Sequence, residues 1–470
     1  MIKKIMVLLV FLIIIIAGLI GYQWLMYDKL GKTTERVQIE NLEVEAEVVH
    51  NEGKLSITQK VSKLGQDSFL IEMPNGAKDF ECLFANGETC NTKKESNFNR
   101  IEVGNELQLT FRYVLPVEEG ENEYWQEDGF VQFFSNDQKP LLENFTVTLL
   151  EEVAKTNMWF SGALSEVRVD KEHISYFAWM KKDATVFPLY MSKAQLEKDD
   201  RFDPYLSVFT FNAEKEDLGH WYVQFPSNSG LTIVQSIGNK IYKAPLLVVI
   251  PRGYNTNEIE ELAIQAYLLH YKKPKSDKIE WILDVLPSFI LERPTGEGKE
   301  FEMSKELVEN LQTEIKKGFA SWLLKPNKSM TGISIEDLDK KLSEIGGFKT
   351  IFFEKNESKN DPIIPLYFID KRTVFYEEKE INLNWNAVEK NNILLFPFRE
   401  TLENTGFDVK ALTERDQFQI TKGDKSWTFP LDKEANPLEF IGEDLYISER
   451  GLEEFLNIEV IKRDGGIYLR

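Results

Sequence analysis

From residue 42 the chain alternates. Leu42, Val44, Ala46 and Val48 fall on one face and Glu43, Glu45 and Glu47 on the other, the period of a half-buried strand. "HNEGK" supplies a turn and "LSITQKV" returns, which predicts a hairpin. Leu107, Leu109, Phe111 and Tyr113 alternate again until Pro116, and Phe145, Val147 and Leu149 repeat the pattern. The runs "ISYFAWM", "YLSVFTF" and "WYVQF" carry this strand-rich character to about residue 225. A large antiparallel sheet or sandwich is the architecture expected there.

Near residue 245 the period changes. "PLLVVIP" is apolar on both faces, as in a central strand. Ile259, Leu262, Ala263, Ala266, Tyr267 and His270 then share one face of a helix. Ser276 or Asp277 is placed to cap a second helix bearing Ile279, Ile282, Leu283 and Leu286. Leu307, Leu311, Ile315, Phe319, Trp322 and Leu323 predict one long third helix. Ser334 with Asp337 reads as a capping motif for a fourth, which Gly346-Gly347 stops. "IFFE" reads as a strand and "KNESKNDP", 355 to 362, as a linker. Beyond it, "LFPFRETLENTGFDV" from Leu395 and "LYISERGLEEFLNIEV" from Leu445 form an imperfect repeat of strand, helix and strand.

The N-terminus differs from all of this. Lys3 and Lys4 precede 18 uncharged, mostly apolar residues from Ile5 to Tyr22, about 27 Å of helix, close to the hydrocarbon thickness of a bilayer. Tyr22, Trp24 and Tyr27 follow as an aromatic belt. The expectation is a transmembrane anchor with the remainder outside the cell; a cleaved signal peptide is the competing reading, and both export the rest. The net charge of −21 disfavours nucleic acid and anionic membrane surfaces as main partners. The two cysteines, Cys82 and Cys90, flank Ala85-Asn86-Gly87, which suits a three-residue hairpin loop with Gly87 in the left-handed conformation. That register sets them opposite each other, a candidate disulfide if the pair is a non-hydrogen-bonded one; two free buried thiols are the alternative.

Two stretches carry family resemblances. "INLNWNAVEKNNILLFPFRETLENTGFDVKALTERDQFQITKGDKSWTFPL" has Pro397-Phe398-Arg399, Gly406 and "QITKGDKSW" in order. It resembles the stalk domain of bacterial surface proteins, also called the copper amine oxidase N-terminal-like domain. The resemblance implies a display or binding module, not an oxidase: no Asn-Tyr is present to form a quinone, and there are only four histidines, His50, His173, His220 and His270. In the middle of the chain, Glu260-Glu261-Leu262-Ala263-Ile264-Gln265 stands where a gluzincin peptidase of the aminopeptidase M1 type has His-Glu-x-x-His-Gln. Trp281-Ile282-Leu283-Asp284 stands where that family has Trp-Leu-x-Glu. This second resemblance implies a peptidase-like fold with a degenerate site.

The residues themselves argue against zinc. A catalytic zinc needs three protein ligands and an open position. Ile264 has no lone pair, and Glu260 with Asp284 would offer two oxygen donors only, a poor set for this ion. Glu261 stands in the position of a general base with no activated water to serve. His270 is about 15 Å along the helix from Glu260, too far to share one ion. The bland assignments are Glu260 and Glu261 near a helix start, Ile264 in the core and Asp284 paired or solvated. No nucleophile elbow or phosphate loop occurs; "PTGEGKE" lacks the glycine spacing.

The resulting expectation is a multi-domain α+β protein. Residues 1–30 form a cytoplasmic stub and transmembrane helix, 31–225 a β-rich sheet or sandwich domain, 226–358 a helical α/β domain, and 363–470 a small stalk-type α+β domain. The expected function is non-catalytic binding or scaffolding at the cell envelope, without a cofactor, toward an envelope polymer or protein. An envelope hydrolase with a rebuilt site, or a sensor of an envelope complex, is the alternative.

Overall fold

The computed structural model describes residues 41 to 470 apart from 52, 96, 105, 119–120, 164, 203–205, 212–222, 228, 327–331, 384–385, 413–416, 431–436 and 464. The alternating stretches form one seven-stranded sheet. Its strands are β1 (Leu42–Asn51), β2 (Lys54–Ser62), β3 (Lys78–Phe84), β4 (Gln108–Pro116), β5 (Glu143–Glu151), β6 (Ser165–Asp170) and β7 (Ser175–Ala184), in the order β6-β7-β5-β1-β2-β4-β3. All neighbours run antiparallel except β1 and β5, which are parallel from Leu42↔Glu143 to His50↔Glu151. The predicted inward set Leu42, Val44, Ala46 and Val48 is buried to within 2% exposure, with Glu45 and Glu47 in solvent. That face packs on Phe111, Phe133, Phe145, Phe177, Trp179 and Phe187 in one aromatic core.

Inside this core His50 Nδ1 lies 2.6 Å from Glu151 Oε2, which also accepts from the Trp159 indole at 2.7 Å. The other carboxylate oxygen of Glu151 accepts from the N–H groups of Val153 and Ala154. These donors hold the Glu151 carboxyl below its usual range against the opposing cost of burial, the largest single influence on it. His50 is therefore a satisfied core histidine. The hairpin after β3 turns at Gly87, whose φ is +87°, and Cys82 and Cys90 form a disulfide with Cα atoms 5.3 Å apart. The Cys90 N–H donates to the Cys82 carbonyl, so the bridge spans a hydrogen-bonded position rather than the non-bonded one anticipated.

A five-stranded sheet follows: β8 (Glu197–Lys198), β9 (Ser207–Thr210), β10 (Thr232–Ser236), β11 (Tyr242–Ala244) and β12 (Leu247–Pro251), ordered β8-β9-β10-β12-β11. The doubly apolar run becomes β12, flanked on both sides and buried except at Pro251. Helix α1 (Thr256–Tyr271) packs on this sheet, capped by the Asn255 side chain, which accepts from the Asn257 N–H. α2 (Pro287–Leu291), α3 (Lys299–Asn310), α4 (Thr313–Leu324), α5 (Ile335–Gly346) and α6 (Phe352–Lys355) complete the helical region.

Several expectations change here. Asp277–Asp284 is a 3-10 helix, not the start of an α-helix. The long third helix is two: Leu311 is extended (φ −96°, ψ 141°) and separates α3 from α4. "IFFE" gives the one-turn α6 because Asp339, from α5, accepts the N–H groups of Phe353 and Glu354, both at 2.9 Å. The supposed linker is pinned at Asn356, whose fully buried amide bonds the Phe352 and Ile364 carbonyls and the Ile364 N–H. The capping box of α5 forms as read, with Ser334 and Asp337 bonded reciprocally.

The predicted transmembrane segment lies outside the described residues. Among those described, no helix is long and apolar enough to cross a membrane. The longest, α1, has 16 residues and carries Glu258, Glu260 and Glu261, which falls short in both length and polarity. The expected fold class, with its transmembrane helix, and the single-pass membrane location are corrected accordingly. The chain is strand-rich, 41% strand against 22% helix.

The repeat near the C-terminus is present as strand Ile393–Pro397, α7 (Phe398–Asn404) and strand Asp408–Leu412, then strand Asp444–Ser448, α8 (Glu449–Leu456) and strand Val460–Arg463. The two leading strands pair antiparallel, Pro397↔Tyr446. Pro397 starts α7, Arg399 bonds Glu403 and the Val409 carbonyl at 3.3 Å each, and Gly406 has φ +85°. All three shape the helix and its exit.

Candidate functional site

α1 presents its predicted residues to different neighbours. Glu260 is 1% exposed and Ile264 fully buried, both turned into the core. Glu261 faces the loop after α2. Its Oε1 accepts the Gly296 N–H at 2.9 Å, and Arg293 stands 3.7 Å from its Oε2. Burial raises its pKa, the Gly296 and Arg293 contacts opposing. Gly296 has φ +78°, and a Cβ there would lie 2.5 Å from Glu300, so the loop reaches Glu261 only with glycine in place.

Asp284, at the end of the 3-10 helix, meets a cation that the motif did not reveal. Lys243, from β11, places its ammonium 2.9 Å from Gln265 Oε1 and 3.3 Å from Asp284 Oδ1. Lys243, Gln265, Asp284, Glu280 and Trp281 line a cavity of about 240 Å³. Two of the four positions of the degenerate motif are near each other: Asp284 repels the Glu261 carboxylate and Lys243 attracts it, although each carboxylate has its own nearer partner. Glu261 holds a loop, Asp284 holds Lys243, and Glu260 and Ile264 are core. Among the described residues no group of three or more His, Cys, Asp or Glu is placed to hold a metal ion. His173 is exposed on a turn, His270 sits where burial and Lys181 push its pKa down to about 3, and His220 is outside the described residues.

A second cavity, about 350 Å³, is lined from strand Ser68–Glu72, part of a four-stranded sheet, and from strand Glu123–Gln126, part of a three-stranded one, with the residues that follow each. Glu72, Trp125, Glu127, Asp128 and Gln132 line it. Trp125 stacks on Tyr242, the neighbour of Lys243 in β11, with ring centroids 5.0 Å apart. Asp128 Oδ1 is shut off from solvent and meets no donor. Burial, with Glu72 adding repulsion, raises the Asp128 pKa, and Lys273 and Gln132 offset part of this. Glu127 is raised in the same way, by burial, Asp128 and then Glu280 from the first cavity. The trough is therefore lined by several carboxylates, and one oxygen of Asp128 is buried without a partner. Sequence reasoning missed it. Its one local trace is "WQED", an acidic pair beside a tryptophan, unremarkable among 77 acidic residues.

No family model matches the chain, and no curated protein matches it in sequence. Solved structures similar to it include an M1 zinc metallopeptidase from Deinococcus radiodurans, 9% identical, with a TM-score of 0.45 over 70% of this chain and 96% of that one. A mutant of that enzyme bound to a Tyr-Ser-Ala substrate gives 11% identity and a TM-score of 0.44, over 70% of this chain and 96% of that one. The neighbours are thus M1 metallopeptidases at low identity, the family of the weaker resemblance. At this level of likeness no residue role is carried over. The stalk-domain resemblance finds no counterpart among these matches and is set aside.

Proposed function

We propose that the chain is a non-catalytic binding protein whose trough takes a cationic, amine-bearing segment, such as a basic stretch of peptide. The observation that carries this reading is the Asp128 carboxylate, half-buried, with one oxygen unpartnered and with Glu72 and Glu127 beside it. An unpaired buried acceptor costs about 1–3 kcal/mol, and an incoming ammonium or guanidinium would remove that cost by a charge-assisted bond. Trp125 offers an adjacent ring face to the alkyl stem or the cation itself.

The chemistry of cleavage has little support in the donor set. Glu261 is engaged by Gly296 and Arg293, and Asp284 by Lys243. Ile264 supplies no ligand atom. A lysine ammonium already supplies positive charge beside Asp284, so that carboxylate does not need a bound cation for compensation.

The test is a titration of the full chain with a lysine-rich peptide, its glutamate counterpart and a neutral one, followed by Trp fluorescence and calorimetry at two salt concentrations. Binding of the basic peptide alone, weakened by salt, is the expected result. Absence of such binding overturns the trough as the site. Chelator-sensitive cleavage of any of the peptides overturns the non-catalytic reading.

A further inference from the structure

The two edges of the seven-stranded sheet are not alike. β3 is guarded: it carries exposed Lys78, Asp79 and Glu81, and its register with β4 breaks between Lys78 and Glu81. Charges and bulges of this kind keep an edge from pairing with another chain. β6, at the other end, has β7 as its one strand neighbour among the described residues. Its register with β7 runs unbroken from Ser165↔Met180 to Asp170↔Ser175, and it contains no proline.

The outer face changes character toward β6. Over β1 and β2 it is polar, with Glu45 opposite Lys60 and Glu47 opposite Thr58. At β6 and β7 it is apolar: Val167 is 55% exposed, Val169 48% and Met180 52%, with Tyr176 beside them. A contiguous apolar patch on an open edge marks an interaction surface.

We infer that β6 pairs antiparallel with β6 of a second copy, about a two-fold axis at Val167, joining two seven-stranded sheets. The partner is fixed by the charge pattern of "EVR", residues 166 to 168. With Val167 opposite its own copy, Glu166 stands opposite the second copy's Arg168, and by symmetry the pair occurs twice. Directly opposed side chains in an antiparallel pair are close enough for such ion pairs to form. Centring the axis on Arg168 instead would oppose Glu166 to Asp170, like against like. Centring it on Val169 would oppose Arg168 to Asp170 but keep only residues 168 to 170 of each strand paired, against 165 to 169 here. Charge pattern and length of overlap together favour a copy of itself in this register.

Sedimentation velocity of the full chain between about 1 and 100 µM tests this, with the edge variants compared at equal salt and at pH 8, above the value of about 7 to which burial raises the Glu166 carboxyl. A species of twice the 54.6 kDa chain mass is expected. R168E should raise the dimer Kd at least about tenfold, because it opposes glutamate to glutamate twice. The swap E166R/R168E should restore it, although it does not restore the intrachain Arg168–Asp170 pair (3.0 Å); a merely structural role for Arg168 would leave the swap as weak as R168E. A chain that stays monomeric at 100 µM, a dimer indifferent to R168E, or a swap without recovery would each overturn the pairing.

Discussion

Replacing Asp128 by asparagine should move stability and binding in opposite directions. Asp128 has its folded-state pKa raised, chiefly by burial and then by Glu72. A raised carboxyl pKa means that the folded chain holds the proton more tightly than the unfolded one. The ionised form is then a penalty on folding. It is absent below the unfolded pKa near 4, grows as pH rises toward the folded value, and is complete above it. The orphaned Oδ1 sets the scale. An unsatisfied buried charged acceptor costs about 1–3 kcal/mol, and partial solvation of this half-buried side chain, with help from Lys273 and Gln132, brings the figure to about 1 kcal/mol. Asp128→Asn should therefore gain about 1 kcal/mol in urea unfolding at pH 8 and almost nothing at pH 4. At pH 8 the same variant should bind the lysine-rich peptide about tenfold more weakly, the loss of one charge-assisted bond. A variant less stable at pH 8, or one that binds the basic peptide as well as the parent, would refute the reasoning. Stability held back at a residue that contacts ligand is the signature of a site.

Other perturbations bear on the frame that carries the trough. Gly162→Ala would set a Cβ 2.4 Å from the Leu246 carbonyl carbon and 2.5 Å from its oxygen; with backbone on the far side, urea unfolding should show a loss of about 3 kcal/mol. Removing the disulfide in C82A/C90A should cost about 2.5 kcal/mol from the loop it closes, read as an earlier unfolding step. Ser334→Ala removes the hydroxyl that accepts the Asp337 N–H, leaving the backbone half of the α5 capping box, and should speed hydrogen exchange across the first turn of α5, at a cost of about 1 kcal/mol. Lys243→Met removes the cation from Asp284 and Gln265; both ion-pair partners are about one-third exposed, so the loss should be about 0.5–1 kcal/mol and shrink in high salt.

The strands of the first sheet were legible because their period is local. Val44 and Ala46 of β1 each announce themselves against a glutamate on either side, and Leu42 and Val48 against one. The split at Leu311 was not, since Leu307, Leu311 and Ile315 keep helical spacing through it and no glycine or proline marks the break. "IFFE" is a short apolar run that fits strand or helix equally. What decides it is Asp339, 14 residues upstream of Phe353, and that contact exists only in the folded chain. The two-helix outline at Glu260 and Asp284 was visible, but Lys243 lies 41 residues before Asp284 in a strand with no motif of its own. The trough was the least legible feature of all. Its walls come from residues near 72 and near 128, with Glu280 acting from a third place, and none of these segments is unusual alone.

The parallel pairing of β1 with β5 has a consequence in time. β1 and β2 can form a hairpin as soon as both have left the ribosome, but the other side of β1 waits for Glu143–Glu151. At about 5–20 residues per second, the roughly 90 residues between β2 and the end of β5 take about 5–20 s to make. β3 and β4 can join β2 during that interval, but Leu42, Val44, Ala46 and Val48 still lack Phe145, Phe177, Trp179 and Phe187 from the far side of their aromatic core. Synthesis speed and chaperone capture, more than final stability, should then set how much of this chain reaches its native sheet, and slowing codons placed after residue 151 should matter less than those placed before it.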